Sequence, residues 1–182
     1  DLSPEERSRL TDPANHSRRN MSEERERQIA RKQAQTKERT KSKVGSEERR
    51  FARWLSEQGY EYTLQKAVDV YNIDIAVGPV AVEIHINPSH PHNHPYYRRR
   101  IVDLLKRGLH PFYVKMTTSE HLLTKGACEH AIRFIEAAKR HETPWSHYRV
   151  IRGTGDFIAS GRLEGDELTT KSASDNLLEG TS

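Results

Sequence analysis

Two carboxylates sit inside segments that otherwise read as apolar strands. Asp74 lies between Ile73 and Ile75, and Glu83 lies between Val82 and Ile84. Residues 72–77 and 80–86 are rich in Val, Ile and Ala, and Gly78-Pro79 between them is a turn signal. The pattern predicts a hairpin. A carboxylate in a strand interior is costly unless it is paired, exposed or metal-bound. Period-two alternation sets Asp74 and Ala76 opposite Ile73, Ile75 and Val77. It likewise sets Ala81, Glu83 and His85 opposite Val82 and Ile84. Paired strands can then present Asp74, Glu83 and His85 on one side. Taken singly, each acid also reads as an outward-facing strand residue. Taken together, two carboxylates and an imidazole can hold a hard cation such as Mg²⁺.

The remaining pattern predicts what surrounds this hairpin. Phe51, Trp54, Leu55 and Gln58 recur at helical spacing, and Gly59 stops that helix. Glu48, a third acid, lies in its first turns. Residues 60–65 alternate as a strand. Residues 87–95 form a loop rich in His and Pro, and 96–107 read as a helix ended by Gly108. Residues 111–116 read as a buried strand. Residues 126–140 read as a helix with Ala131, Phe134, Ile135 and Ala138 inside. Residues 148–151 and 157–158 suggest a late hairpin, and 172–182 an acidic tail. The order is helix, three strands, helix, strand, helix. It predicts an α/β (α+β) fold, a mixed sheet flanked by helices.

Three regions follow: a basic arm at 1–45, a core at 46–152, and a C-terminal hairpin and tail at 153–182. The arm has almost no large apolar side chains. Ser3-Pro4-Glu5-Glu6 is a capping box, and Asn20 with Glu23 repeats that logic before a helix over 22–43. Helix propensity there is high, but no apolar face is sustained. The expectation is a solvated helix, or an arm that orders on a partner. The charge is polarised. Between His16 and Arg50 there are twelve Lys or Arg against six Glu, and from Gly153 onward six acids face only Arg162 and Lys171. With a formal net charge of +4, the balance favours a polyanionic partner.

The single cysteine, Cys128, excludes a disulfide framework and a Cys-based zinc site within one chain. No apolar run approaches a membrane span, and no apolar stretch of a signal peptide opens the sequence. No membrane and a cytoplasmic setting are the expectation.

Asp74 in a strand, a turn, then Val82-Glu83-Ile84-His85 resembles the signature of the PD-(D/E)XK nucleases, with His85 in the place of the usual lysine. Ser46-Glu47-Glu48-Arg49-Arg50-Phe51, leading to Leu55 and Gly59, resembles the first helix of that core and its acid. His90, then Tyr97-Arg98-Arg99-Arg100, Leu104-Leu105 and Gly108, resembles the second half of the very-short-patch repair nucleases. The resemblance spans residues 46–116. It implies a restriction-endonuclease-like core and metal-dependent hydrolysis of DNA in a bacterial or phage-infected cell. The cofactor would be Mg²⁺ or Mn²⁺, and the partner double-stranded DNA. Asp74 would be the principal metal ligand, and Glu83 would complete the shell by side chain or nearby backbone. Glu48 would add a ligand or orient water, and His85 or His90 would act as general base. The missing lysine hands charge stabilisation to His85, Arg98 or the metal. Repair nucleases carry a Cys/His zinc site that one cysteine cannot supply, which favours the EDxHD homing branch. A homing or mobile-element endonuclease is therefore the first reading. A nicking repair nuclease and a non-catalytic DNA-binding protein on a degenerate nuclease fold are the alternatives. A double-strand break would need a homodimer or two nicks.

DNA contact has two expected sources. One is the helix bearing Arg98, Arg99, Arg100, Lys106 and Arg107. The other is the arm, with Arg31, Lys32, Lys37, Lys41 and Lys43 giving phosphate contacts that carry no sequence information. His85, His90, His92 and His94 could also gather a transition metal, though a rim loop with one catalytic His fits the pattern better.

Overall fold

The apolar segments assemble into one sheet. The computed structural model describes residues 21–42, 44–86, 94–117, 123–140 and 147–173. Among them are four helices: α1 (Glu23–Thr40), α2 (Ser46–Glu57), α3 (Pro95–Lys106) and α4 (Lys125–Arg140). The seven strands are β1 (Thr63–Val68), β2 (Tyr71–Val77), β3 (Val80–Ile86), β4 (His110–Met116), β5 (His147–Arg152), β6 (Phe157–Glu164) and β7 (Glu167–Ser172). They lie in the sheet in chain order. The central three, β3, β4 and β5, are parallel, and every other pair is antiparallel. Parallel neighbours need crossovers, and α3 and α4 lie in those connections. α2 and α4 cover one face, packing Phe51, Leu55, Phe134 and Ile135 on Ile75, Val82 and Phe112. α3 covers the other, packing Tyr97, Ile101 and Leu105 on Tyr113, Tyr148 and Val150. The expected mixed sheet flanked by helices is present. No described helix is long and apolar enough to cross a membrane.

The late hairpin is larger than expected. β5 and β6 pair as the sequence indicates, and β7 continues the same sheet. Only Leu168 of β7 is buried, so its periodicity is faint. Gly161 permits the pairing: a Cβ there would lie 1.9 Å from the Thr169 carbonyl oxygen. Residues 1–20, with the Ser3 capping box and Asn20, fall outside the described residues, as do 174–182 of the tail. The described helix is capped instead by Ser22, whose Oγ accepts from the Arg25 N–H at 3.4 Å.

The basic helix departs from its expectation. α1 is not a solvated arm; it packs on β1 and β2 and buries Ala34. It attaches through charge rather than through an apolar stripe. Arg27 and Arg31 join Arg107 around Asp69, which follows β1 and takes a left-handed φ of 53°. Glu38 accepts from the Ala67 N–H at 3.1 Å, and Lys41 Nζ donates to the Leu64 carbonyl. Two backbone groups of the sheet's outer strand are thereby satisfied. A test for amphipathicity cannot see such an anchor, because the groups that make it are polar.

A second departure bears on function. Ile73, Ile75 and Val77 do not share a face. Ile75 and Val77 join the α2/α4 core, whereas Ile73 packs with Ala76, Ala81 and Leu104 on the α3 side. The parity of β2 changes across Asp74. Opposite it, between the pairs Leu64↔Ile75 and Lys66↔Ile73, Gln65 takes a left-handed φ of 51°. Non-glycine residues seldom adopt that conformation, and such irregularities cluster where a sheet is re-aimed at a site.

Candidate active site

The irregularity at Asp74 coincides with a break in pairing. β2 and β3 pair from Ile75↔Val82 to Val77↔Val80 and no further. Beyond that point Asp74 Oδ2 reaches across and accepts from the Ile84 N–H at 2.9 Å. The gap opens into a cleft of about 550 Å³. α1 contributes Ala30, Gln33, Ala34 and Lys37 to its wall, α2 contributes Glu48, and α3 contributes Tyr96 and Arg100. Gln65, Asn72, Asp74, Glu83 and His85 line it from the sheet. Helices from both faces of the sheet thus meet at one opening.

Each acid has its own support. Glu48 is the third residue of α2 and accepts from the Gly45 N–H, closing the helix start as the acid of a capping box does. Its other partner is Gln65, which is buried and donates through Nε2 to Glu48 Oε2 at 2.7 Å. The left-handed backbone of Gln65 therefore carries a side chain that orients Glu48. Glu83 is 2% exposed and paired with Arg100, whose Nη2 donates to Glu83 Oε1 and to the Asn72 carbonyl, the latter at 2.8 Å. Asp74 has only the Ile84 N–H as a hydrogen-bond donor among the described residues.

The electrostatics follow from this inventory. Three carboxylates share the cleft with one arginine at hydrogen-bond distance. Burial, then the charges of Glu83 and Glu48, push Asp74 up to about 8. Burial likewise raises Glu48 above the usual carboxylate range. Burial opposes the Arg100 charge, and Glu83 more than offsets it, so the guanidinium sits above its ordinary value. The three carboxylates are crowded enough that Asp74 holds its proton where a free carboxylate has lost it.

His85 stands beside these acids in an aromatic box. Its Nε2 is 3.8 Å from Glu83 Oε2, and its ring centroid is 5.3 Å from those of Tyr97 and Tyr113. Nδ1 is buried without a hydrogen-bond partner among the described residues. Lys115 pairs in register with His85 and stands over Tyr97, 5.3 Å from its centroid, and burial lowers its pKa.

Compared with protein-family models, with curated proteins and with solved structures, the chain gives no match. The reading of the site rests on its own geometry.

That geometry brings together Glu48, Asp74, Glu83 and His85, four of the five expected catalytic residues. His90, with His92, lies outside the described residues. The expected DNA-contacting residues scatter. Arg98 donates to the Leu168 carbonyl at 3.3 Å, and Lys106 pairs with Asp166. Arg31 is held by Asp69 and Lys41 by Leu64, while Lys32 and Arg99 are exposed. Lys37 faces the cleft, and Lys43 lies outside the described residues. Arg100 is drawn inward to Glu83 instead of lying on the surface. Gln65 and Asn72 were not foreseen. Arg100 could have been: it stands three residues after Tyr97 and four before Leu104, both buried, so helical spacing puts it on the inner face.

A divalent cation fits the donor set. The available side-chain donors are carboxylate oxygens, the ligands of hard cations. Among the described residues no three acidic, His or Cys side chains are already gathered around one point. Mg²⁺ is commonly held by one or two carboxylates with water and substrate oxygens, which Asp74 and Glu83 can provide.

Proposed function

We propose that this chain is a metal-dependent DNA endonuclease of the homing or mobile-element type, built on a PD-(D/E)XK-like core. The observation that carries the reading is the gathering of three carboxylates, Glu48, Asp74 and Glu83, where β2 and β3 part. Asp74, half-buried and facing Glu83 and Glu48, is pushed up to about 8 by burial first and then by those two charges, which the Ile84 N–H and Arg100 only partly offset. A divalent cation and the phosphate it brings would complete the site. Asp74 and Glu83 would hold Mg²⁺ or Mn²⁺, which supplies Lewis-acid polarisation of the phosphodiester and lowers the pKa of a bound water. Glu48, fixed by Gly45 and Gln65, orients water at the cleft wall. His85 takes the proton from the attacking water, with Glu83 beside it to stabilise the imidazolium. Lys37 and the exposed Arg99 meet backbone phosphates, a contact that positions DNA without reading its sequence.

The test is cleavage of a supercoiled plasmid library by the full chain, with Mg²⁺ or with chelator, beside Asp74→Asn. Metal-dependent nicking or linearisation that the variant loses supports the reading, and a long defined target separates homing from mismatch repair. One observation favours a second reading: Glu83 is already ion-paired with Arg100, as in a site that has become self-sufficient. Under that reading the chain binds DNA without cutting it. Salt-sensitive binding with no cleavage at any site, unchanged in Asp74→Asn, would favour it.

A further inference from the structure

Arg100 does something in this cleft that surface arginines do not. It comes from α3, on one face of the sheet, and ends between β2 and β3 at the point where they part. Its Nη2 serves both Glu83 and the Asn72 carbonyl. Its guanidinium carbon stands 5.2 Å from the centre of the Tyr71 ring. Tyr71 is itself fixed by donating to Asp103 at 2.6 Å. Only 12% of the Arg100 side chain and 3% of the Glu83 side chain is exposed. A carboxylate so deeply covered requires a counter-charge. Arg100 is the cation that meets it.

Yet Arg100 is poorly satisfied where it stands. A guanidinium carries five N–H donors. Here the hydrogen bonds run from Nη2 alone, and Nε is buried with no partner among the described residues. The bidentate fork that makes an arginine–carboxylate pair strong is not formed. Glu83 is thus held by one nitrogen of a group that also has Asn72 to keep it in place.

We propose that Arg100 is a resident counter-ion that competes with the divalent cation for Glu83. The inference rests on the metal-site reading of Asp74 and Glu83 above. Without a cation, Arg100 keeps Glu83 covered and the three-carboxylate cluster tolerable. When a cation takes Glu83, Arg100 keeps its bond to the Asn72 carbonyl. Arg100 is therefore a positioning residue that sets metal affinity. It lowers affinity for the free ion, the opposite of a residue that merely shapes the site.

The experiment is calorimetric titration of Mn²⁺ into the unmutated 182-residue chain and into Arg100→Met and Arg100→Lys. Melting curves and circular dichroism establish that each variant is folded. Removing a unit charge at contact distance from the ligand should tighten Mn²⁺ binding about tenfold or more in Arg100→Met. Arg100→Lys keeps the charge but cannot span Glu83 and Asn72 from a planar group, so it should give a smaller gain. It also serves where Arg100→Met does not fold. Wild-type binding with unchanged or weaker affinity in the folded variants would overturn the role of Arg100 and leave the metal site standing. No Mn²⁺ binding by wild type or by either folded variant would overturn both.

Discussion

Asp69 and Asp74 are five residues apart and meet opposite fates. Asp69 has three arginines, Arg27, Arg31 and Arg107, for one carboxylate. The hydrogen bond from Arg31, outweighing burial, holds it below the usual carboxylate range. Asp74 has two other carboxylates for neighbours and a single backbone donor, and it is pushed up to about 8. The first surrounds an anion with surplus cations and clasps α1 to the sheet. The second gathers surplus anions at an opening. Surplus cation around a covered acid locks a fold; carboxylates crowded in a cleft mark a candidate site for a cationic ligand.

The sharpest way to break this contrast is substitution. Asp74→Asn should reduce cleavage about a thousandfold or more, because the ligand proposed for a Lewis acid is gone. Asp69→Asn should leave cleavage near wild type and lower the Tm by about 3 °C, since its arginines are partly exposed. Reversed phenotypes in a plasmid assay and a thermal melt would invert the assignment.

His85→Gln comes next. Loss of the proposed general base should lower kcat about a hundredfold, with KM for DNA little changed. A variant with normal kcat would hand the base role to another group.

The pH dependence of stability sharpens the contrast without activity. Asp74 keeps its proton in the folded chain up to about 8, whereas the unfolded chain loses it near 3.8. Its contribution is fully present below 3.8 and is lost as pH rises through about 8. Asp69, shifted downward, contributes above its unfolded value and loses that contribution as pH falls. In chelator, Asp74→Asn should flatten the decline in Tm toward alkaline pH, and Asp69→Asn should flatten the decline toward acid. Identical pH profiles for the two variants would remove the distinction.

The smallest effect belongs to Lys37. Lys37→Ala should weaken DNA binding modestly and reduce the salt slope by about one. An unchanged slope would take Lys37 off the DNA path.

The sequence made the acids of the site visible because Asp74 and Glu83 violate apolar strands, and a violation is legible at any distance from its partners. Glu48 was legible as an acid at a helix start. Gln65 was not, because a glutamine in an alternating strand breaks no rule, and its left-handed backbone is set by tertiary context. The parity change at Asp74 was hidden for the same reason: Ile73, Ile75 and Val77 alternate perfectly on paper. The α1 anchor escaped because an apolar-stripe test ignores charge, and Asp69 lies over 25 residues downstream of α1. Among the basic residues of α3, type alone suggested DNA, while helical spacing already turned Arg100 inward.

The proposed divalent-cation site rests on the carboxylates crowded around Asp74. Calorimetric titration of Mn²⁺ into the wild-type chain, Asp74→Asn and Asp69→Asn tests it most directly. One binding site in the wild type, kept by Asp69→Asn and lost by Asp74→Asn, is the expected result. Equal binding by all three, or binding lost in Asp69→Asn and kept in Asp74→Asn, would contradict it.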